Sequence, residues 1–237
     1  MNKHRPNVDA SELEKFSSHA DEWWNPQGTF ATLHAINPVR LDYVRRHVAL
    51  SNAKLLDVGC GGGIFAEAAA AAGADVTAID LAPASIDIAR AHAAESGLKI
   101  RYECAAVEDV AARQANVFDV VTCFEMLEHV PRPAEIVAAC AAAVRPGGSV
   151  FFSTINRNPK SFVLAIVAAE HVLRMIPRGT HEYAKLIRPS ELAAWCRAAH
   201  LGVHDVTGLH YNPVTAEYRL GGNVDVNYFV HAVKRAT

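Results

Sequence analysis

The chain predicts an α/β fold: a mostly parallel, seven-stranded sheet with one antiparallel strand and helices on both faces. Three observations predict it. Strand-like apolar runs alternate with helical stretches through the first two thirds of the 237 residues, and alternation of that kind makes a parallel sheet covered by helices. The run Leu55-Leu-Asp-Val-Gly-Cys-Gly-Gly-Gly63 carries an apolar strand into a glycine-rich turn. Val76-Thr-Ala-Ile-Asp80 is a second strand that ends on an acid.

Taken in order, strands are expected at about 54–59, 75–80, 99–104, 117–124 and 148–155, with helices between them. The alanine-rich helix after the first strand stops at Gly73, as helix C-termini often do. Pro83 opens the next helix in its first turn and Gly97 closes it. Pro133 opens another, which Arg145-Pro-Gly-Gly148 should end. Beyond Thr154 the pattern changes to helical stretches near 160–176 and 189–199, then closing strands near 203–211 and 224–234. No crossover helix separates the last two strands, so one of them should be antiparallel. Residues 1–50 read as an N-terminal helical segment on the substrate side. Residues 51–237 read as the main domain, with a helical insertion at about 160–188.

A net charge of -2 leaves no electrostatic footprint for nucleic acid. The five cysteines are scattered and form no C-x-x-C pair, which points to reduced thiols in a cytoplasm. The first residues are polar with no signal-peptide core, and no apolar run reaches the roughly 20 residues that span a bilayer. The expected location is the cytoplasm, or peripherally the inner face of the membrane.

The turn asks for a nucleoside ligand. Glycine tolerates positive φ and leaves space that a β-carbon would fill, and Asp80 is placed to accept hydrogen bonds from both ribose hydroxyls. The spacing selects among nucleosides. Dinucleotide sites read G-x-G-x-x-G, whereas Gly59, Gly61 and Gly63 read G-x-G-x-G, loosened further by Gly62. Asp57 stands just before the turn, where an anionic pyrophosphate would meet a carboxylate. A methionine-type moiety with an ammonium and a sulfonium suits that position better.

These motifs, with the block Phe118-Asp-Val-Val-Thr-Cys-Phe-Glu-Met-Leu-Glu-His-Val130 and Arg145-Pro-Gly-Gly148, resemble the class I S-adenosylmethionine-dependent methyltransferases, whose single-domain fold is Rossmann-like. Trp23-Trp24, Ile36-Asn-Pro-Val-Arg40, Phe151-Phe-Ser-Thr154, Gly179-Thr-His181 and Gly208-Leu-His-Tyr-Asn-Pro213 resemble, more narrowly, the ubiquinone-biosynthesis O-methyltransferase family. The likeness runs from about residue 12 to the end. It implies S-adenosylmethionine as cofactor, with contacts at Arg40, Gly59, Asp80 and Phe124. It implies a polyprenylated catechol or hydroquinol as acceptor, namely 2-polyprenyl-6-hydroxyphenol and 3-demethylubiquinol. Other enzymes of ubiquinone synthesis are then candidate partners. Arg40 would pair with the methionine carboxylate and Phe124 would pack on the adenine or sulfonium side. Val107-Glu-Asp109 stands either at the adenine amino group or as a solvated acidic turn.

A phenol has a pKa near 10, so only about a thousandth is ionised at neutral pH and its proton must be taken or displaced. Glu125-Met-Leu-Glu-His129 offers two routes. His129 suits a general base. Alternatively Glu125, Glu128 and His129 bind a divalent cation such as Mg²⁺, as in the metal-dependent relatives the chain resembles. A third reading makes these residues structural. His181 and His210 fall in family-like segments and are candidates for the acceptor pocket, whereas His200 and His204 lack the cysteine pair of a zinc site. Trp23 and Trp24 form either a lid or an anchor for the N-terminal helix. The segment 161–178, flanked by Lys160, Lys185 and Arg188, is amphipathic and suits either a membrane interface or packing on its own domain. Methylation of a soluble phenol is the alternative activity; an NAD-dependent oxidoreductase and a non-catalytic adenosyl-ligand binder are the other classes.

Overall fold

Leu55 and Leu56 are both fully buried although they point to opposite faces of one strand, which is the mark of a sheet covered on both sides. The computed structural model describes residues 7–161, 182–212 and 214–236. Its single sheet contains β1 (Lys54–Val58), β2 (Asp75–Asp80), β3 (Arg101–Cys104), β4 (Phe118–Phe124), β5 (Val144–Ile155), β6 (Leu201–Asn212), β7 (Glu217–Leu220) and β8 (Asn227–Lys234). The spatial order is β3-β2-β1-β4-β5-β8-β6-β7. Strands β1 to β5 are parallel; β8 runs antiparallel between β5 and β6, and β7 antiparallel to β6.

The helices are α1 (Ala10–Ser18), α2 (Ala31–His47), α3 (Ile64–Ala71), α4 (Pro83–Glu95), α5 (Val107–Arg113), α6 (Pro133–Ala143), α7 (Pro159–Ser161 as far as it is described) and α8 (Pro189–Ala198). Asp9 caps α1 by accepting from the Ser11 N–H at 3.1 Å. Pro83, Pro133 and Pro189 each occupy a first helical turn, where a missing N–H costs nothing. Side chains of α2, α3 and α4 pack with Leu55, Val76, Val120, Phe151 and Phe229 on one face. Those of α5, α6 and α8 pack with Leu56, Ile79, Val121, Phe152 and Val230 on the other.

Two expectations change. The sheet has eight strands, not seven, so two strands run against the rest instead of one. The added strand, Glu217–Leu220, is four residues long and lies at an edge; its Glu-Tyr-Arg-Leu alternation is too short to stand out, although Tyr218 and Leu220 pack partly against the core. Its hairpin bends at Ala216 with φ +55°, without the glycine or asparagine that announces such a turn. The other change concerns Arg145-Pro-Gly-Gly148. α6 ends at Ala143, and these residues form an irregular opening to β5, across which the pairing jumps from Phe118–Val144 to Val120–Ser149. Most of the stretch expected as a helix near 160–176, the whole Gly179-Thr-His181 segment and Pro213 lie outside the described residues.

Three histidines meet where α2 ends against the sheet. The His231 ring centroid is 4.3 Å from that of His47 and 5.8 Å from that of His204, and it stacks on Phe151 at 4.6 Å. Burial, then repulsion from His47 and His204, pushes the His231 pKa down to about 4. An unfolded histidine protonates near pH 6.5, so between pH 6.5 and 4 the unfolded chain binds the extra proton. Stability should therefore hold above pH 6.5 and fall as pH drops toward 4. Urea unfolding at pH 7.5 and 5.0 should show a loss of about 1–2 kcal/mol that His231→Gln removes, after allowance for solvent screening.

Candidate active site

The strand order reverses direction at β1, which leaves a crevice beyond the carboxyl ends of β1 and β4. A cavity of about 780 Å³ occupies that edge, lined among others by Gly59, Asp80, Phe124 and Arg40. The four residues expected to contact a cofactor therefore face one space, although α2 supplies Arg40 and three different strand ends supply the rest.

The glycine loop does more than make room for a ligand. Gly59, Gly61 and Gly63 all take positive φ, at +71°, +52° and +89°. A β-carbon on Gly61 or Gly62 would lie 2.3 Å from the Trp23 indole, so that side of the loop is already filled by protein. The Trp23 Nε1–H donates to Ser85 Oγ at 3.1 Å, and the ring stacks on Phe30 at 3.7 Å. The Trp24 Nε1–H donates to the Gly62 carbonyl at 2.9 Å, and its ring stacks on His92. Of the two readings for this pair, these contacts favour the anchor.

Charge is arranged around the loop. Asp80 accepts from the backbone N–H groups of Gly61 at 2.9 Å and Ala82 at 2.8 Å, and burial raises its pKa against those bonds. Asp57 is 3 % exposed. Its Oδ1 accepts from Thr122 Oγ1 at 2.8 Å, while Oδ2 has no hydrogen-bond partner among the described residues. Burial lifts its pKa to about 7, against the lowering pull of the Thr122 bond and of Arg40. Arg40 belongs to the buried stripe of α2 with Ile36, Tyr43 and Val44, an uncomfortable place for a cation. Its guanidinium lies 5.7 Å over the Phe124 ring and 3.9 Å from Glu125 Oε1, and Nε is unpartnered among the described residues. A buried carboxylate oxygen and a buried guanidinium nitrogen, both wanting partners at one cavity, fit a zwitterionic amino-acid group on a nucleoside. Val107 and Glu108, at the start of α5, border the same cavity.

Beyond β4 the chain turns sharply. Glu125 takes φ +50°, and the next helical piece is only the 3₁₀ turn Leu127–His129. A continuous α-helix would bring Glu125, Glu128 and His129 onto one face; this break sends them apart. Glu125 Oε1 accepts from Ser153 Oγ at 2.6 Å. Glu128, 3 % exposed, accepts from Thr154 Oγ1 at 2.8 Å. His129 Nδ1 lies 2.9 Å from Glu12 Oε2 of α1, with Phe16 edge-on to its ring at 5.2 Å. The expected metal ligands thus do not converge, and no cluster of His, Cys, Asp or Glu among the described residues could hold a metal ion. His129 borders the cavity, as does His210; His181 lies outside the described residues. Glu12 had no signal in the sequence, because 117 positions separate it from His129.

Comparison with known proteins agrees with this geometry. Residues 41–206 match the family described as a methyltransferase domain. A protein of Bordetella avium named ubiquinone biosynthesis O-methyltransferase is 56% identical over 94% of this chain and 93% of its own length. Its namesake from Nitrosococcus oceani is 51% identical over 99% of this chain and 100% of its own. Among solved structures, the magnesium protoporphyrin IX methyltransferase of Synechocystis with bound S-adenosylmethionine superposes with a TM-score of 0.67 at 13% identity, covering 99% of this chain and 100% of that one. At that identity the likeness speaks for the fold.

Proposed function

The chain belongs to the family of ubiquinone biosynthesis O-methyltransferases, and on that premise we propose how its residues methylate a polyprenylated phenol. It is an S-adenosylmethionine-dependent O-methyltransferase. The acceptors we assign are 2-polyprenyl-6-hydroxyphenol and 3-demethylubiquinol. The observation that carries the reading is the pair of buried atoms without a partner among the described residues, Asp57 Oδ2 and Arg40 Nε, beside the glycine loop.

The bound cofactor supplies an already activated methyl group on a sulfonium. What remains for the protein is alignment and the handling of one proton. Arg40 takes the carboxylate of the cofactor's amino-acid end and Asp57 its ammonium. Asp80 takes the ribose hydroxyls, and Phe124 packs against the nucleoside side. Phe16, Ile155, Leu209 and Val226 give the cavity apolar walls for a substituted ring and the start of its tail. His129 receives the phenol proton on Nε2, since Nδ1 is engaged by Glu12. Without that step the nucleophile is present at about a thousandth of its total at neutral pH. The Glu125, Glu128 and His129 donors do not fit a shared cation, and no step is routed through one.

No helix among the described residues is long and apolar enough to cross a membrane. A tailed acceptor still has to be reached at a lipid surface, and we assign that contact to the segment 161–178, which beyond Ser161 lies outside the described residues. Labelled methyl transfer to a short-chain demethylubiquinol and a prenylated catechol, with plain catechol beside them, tests the activity. Both prenylated acceptors should turn over faster than catechol. Equal rates on all three would point to a soluble phenol as substrate, and no turnover on any would sink the proposal.

A further inference from the structure

The N-terminal helix reaches the reaction centre through one carboxylate. Glu12 of α1 lies 2.9 Å from His129 Nδ1, and the two side chains are only 11% and 12% exposed. Glu12, Phe16 and His129 all border the cavity that Asp80 and Arg40 also line. A mere fastening of α1 needs no such pair. Asn7 already ties the start of that helix to the chain just past His129: its Nδ2–H donates to the Arg132 carbonyl at 2.8 Å, and the Arg132 N–H donates to its Oδ1 at 2.9 Å. A buried carboxylate placed on an imidazole is a costly anchor where a cheaper one exists.

Its surroundings keep it charged. Lys15 Nζ and Lys185 Nζ lie 3.8 Å and 3.7 Å from Glu12 Oε1, and Lys185 is itself shared with Asp9 and Glu182. The Glu12 pKa is lowered, first by the hydrogen bond to His129. Phe16 meets the imidazole edge-on and fixes the plane of the ring.

We propose that Glu12 is the positioning residue of a Glu12–His129 couple, supplied across the fold by the N-terminal helix. The carboxylate accepts Nδ1–H and so selects the tautomer whose Nε2 lone pair faces the acceptor. When the phenol proton moves to Nε2, the O–H bond breaks, its electron pair stays on oxygen, and the imidazolium that forms sits against the Glu12 charge. The oxygen then attacks the methyl group while the carbon–sulfur bond breaks, leaving a neutral thioether. Residues 1–50 are on this account part of the catalytic apparatus. The inference rests on the proposed function, because it assumes a phenolic proton for His129 to take.

Full-length protein carrying Glu12→Gln, Glu12→Asp or His129→Ala tests it by two independent readouts. Nitrogen NMR shifts of the His129 ring, assigned by their loss in His129→Ala, need no substrate; the Nδ1–H tautomer should dominate in wild type and lose that dominance in Glu12→Gln. The second readout is kinetics on demethylubiquinol. At pH 7.5 kcat should drop about 10- to 100-fold, with KM and the Kd for S-adenosylhomocysteine within about twofold of wild type. Glu12→Asp should recover part of kcat. An unchanged tautomer balance, an unchanged kcat, or a loss confined to KM or Kd overturns the couple while the methyltransferase reading stands. A wild-type protein inert on every quinol overturns that reading, and the couple falls with it.

Discussion

His129→Ala should lower kcat for demethylubiquinol by about 10²- to 10⁴-fold at pH 7.5, the range general-base groups usually supply, and leave the Kd for S-adenosylhomocysteine within about twofold. The separation follows from position. His129 stands on the 3₁₀ turn after β4 and contacts Glu12 and Phe16, whereas Arg40, Asp57 and Asp80 hold the charges near the glycine loop. Raising the pH should rescue the variant in part, because hydroxide ionises a phenol of pKa near 10 without help. Isothermal titration and initial rates from pH 6 to 10 check both halves. A variant with wild-type turnover would remove His129 from the chemistry, and a matching loss in Kd would make it a binding residue.

What sequence alone supplies here divides along physical lines. Strands such as Leu55–Val58 and Val76–Asp80 are buried on both faces, so they appear as mostly apolar runs followed by glycine or proline. The loop Gly59–Gly63 is legible because three positive φ values leave few residue types available. Asp57 is legible by its awkward place at the end of an apolar strand. Edge strand β7 is not, since its polar–apolar alternation lasts only four residues and its inward side chains are only partly buried.

Long-range contacts leave no such local trace. Glu125, Glu128 and His129 stand together in sequence and suggest a shared ion, yet one left-handed residue at Glu125 separates them onto Ser153, Thr154 and Glu12. Nothing local announces that turn, because a glutamate is an unusual residue to find at positive φ. The Trp23-Trp24 pair shows the same limit. Either a lid or an anchor suits two tryptophans before a helix, and only the 2.3 Å approach of Trp23 to the β-carbon sites of Gly61 and Gly62 tells them apart.

Asp57→Asn should weaken S-adenosylhomocysteine binding about 30- to 100-fold at pH 8, a loss of about 2–3 kcal/mol for one member of a buried charge pair. The same change should raise thermal stability at that pH. The side chain is nearly isosteric and can still accept from Thr122 Oγ1, which isolates the charge. In the free protein the Asp57 pKa stands at about 7, raised by burial. The folded chain therefore binds more protons than the unfolded one between pH 3.8 and 7, and this group's contribution to stability declines as pH rises through that window. Above pH 7 the full cost of a buried carboxylate is present, and asparagine removes it. Binding has the opposite dependence. An ammonium needs the carboxylate ionised, so wild-type Kd should rise about tenfold from pH 8 to pH 6 for a pKa near 7, while the variant's stays flat. Methylthioadenosine, which lacks the amino-acid end, should bind wild type and variant alike at every pH. If its affinity falls with that of S-adenosylhomocysteine, Asp57 supports the loop rather than the ammonium. If neither falls, the cavity beside Gly59 holds something other than a cationic methionine group.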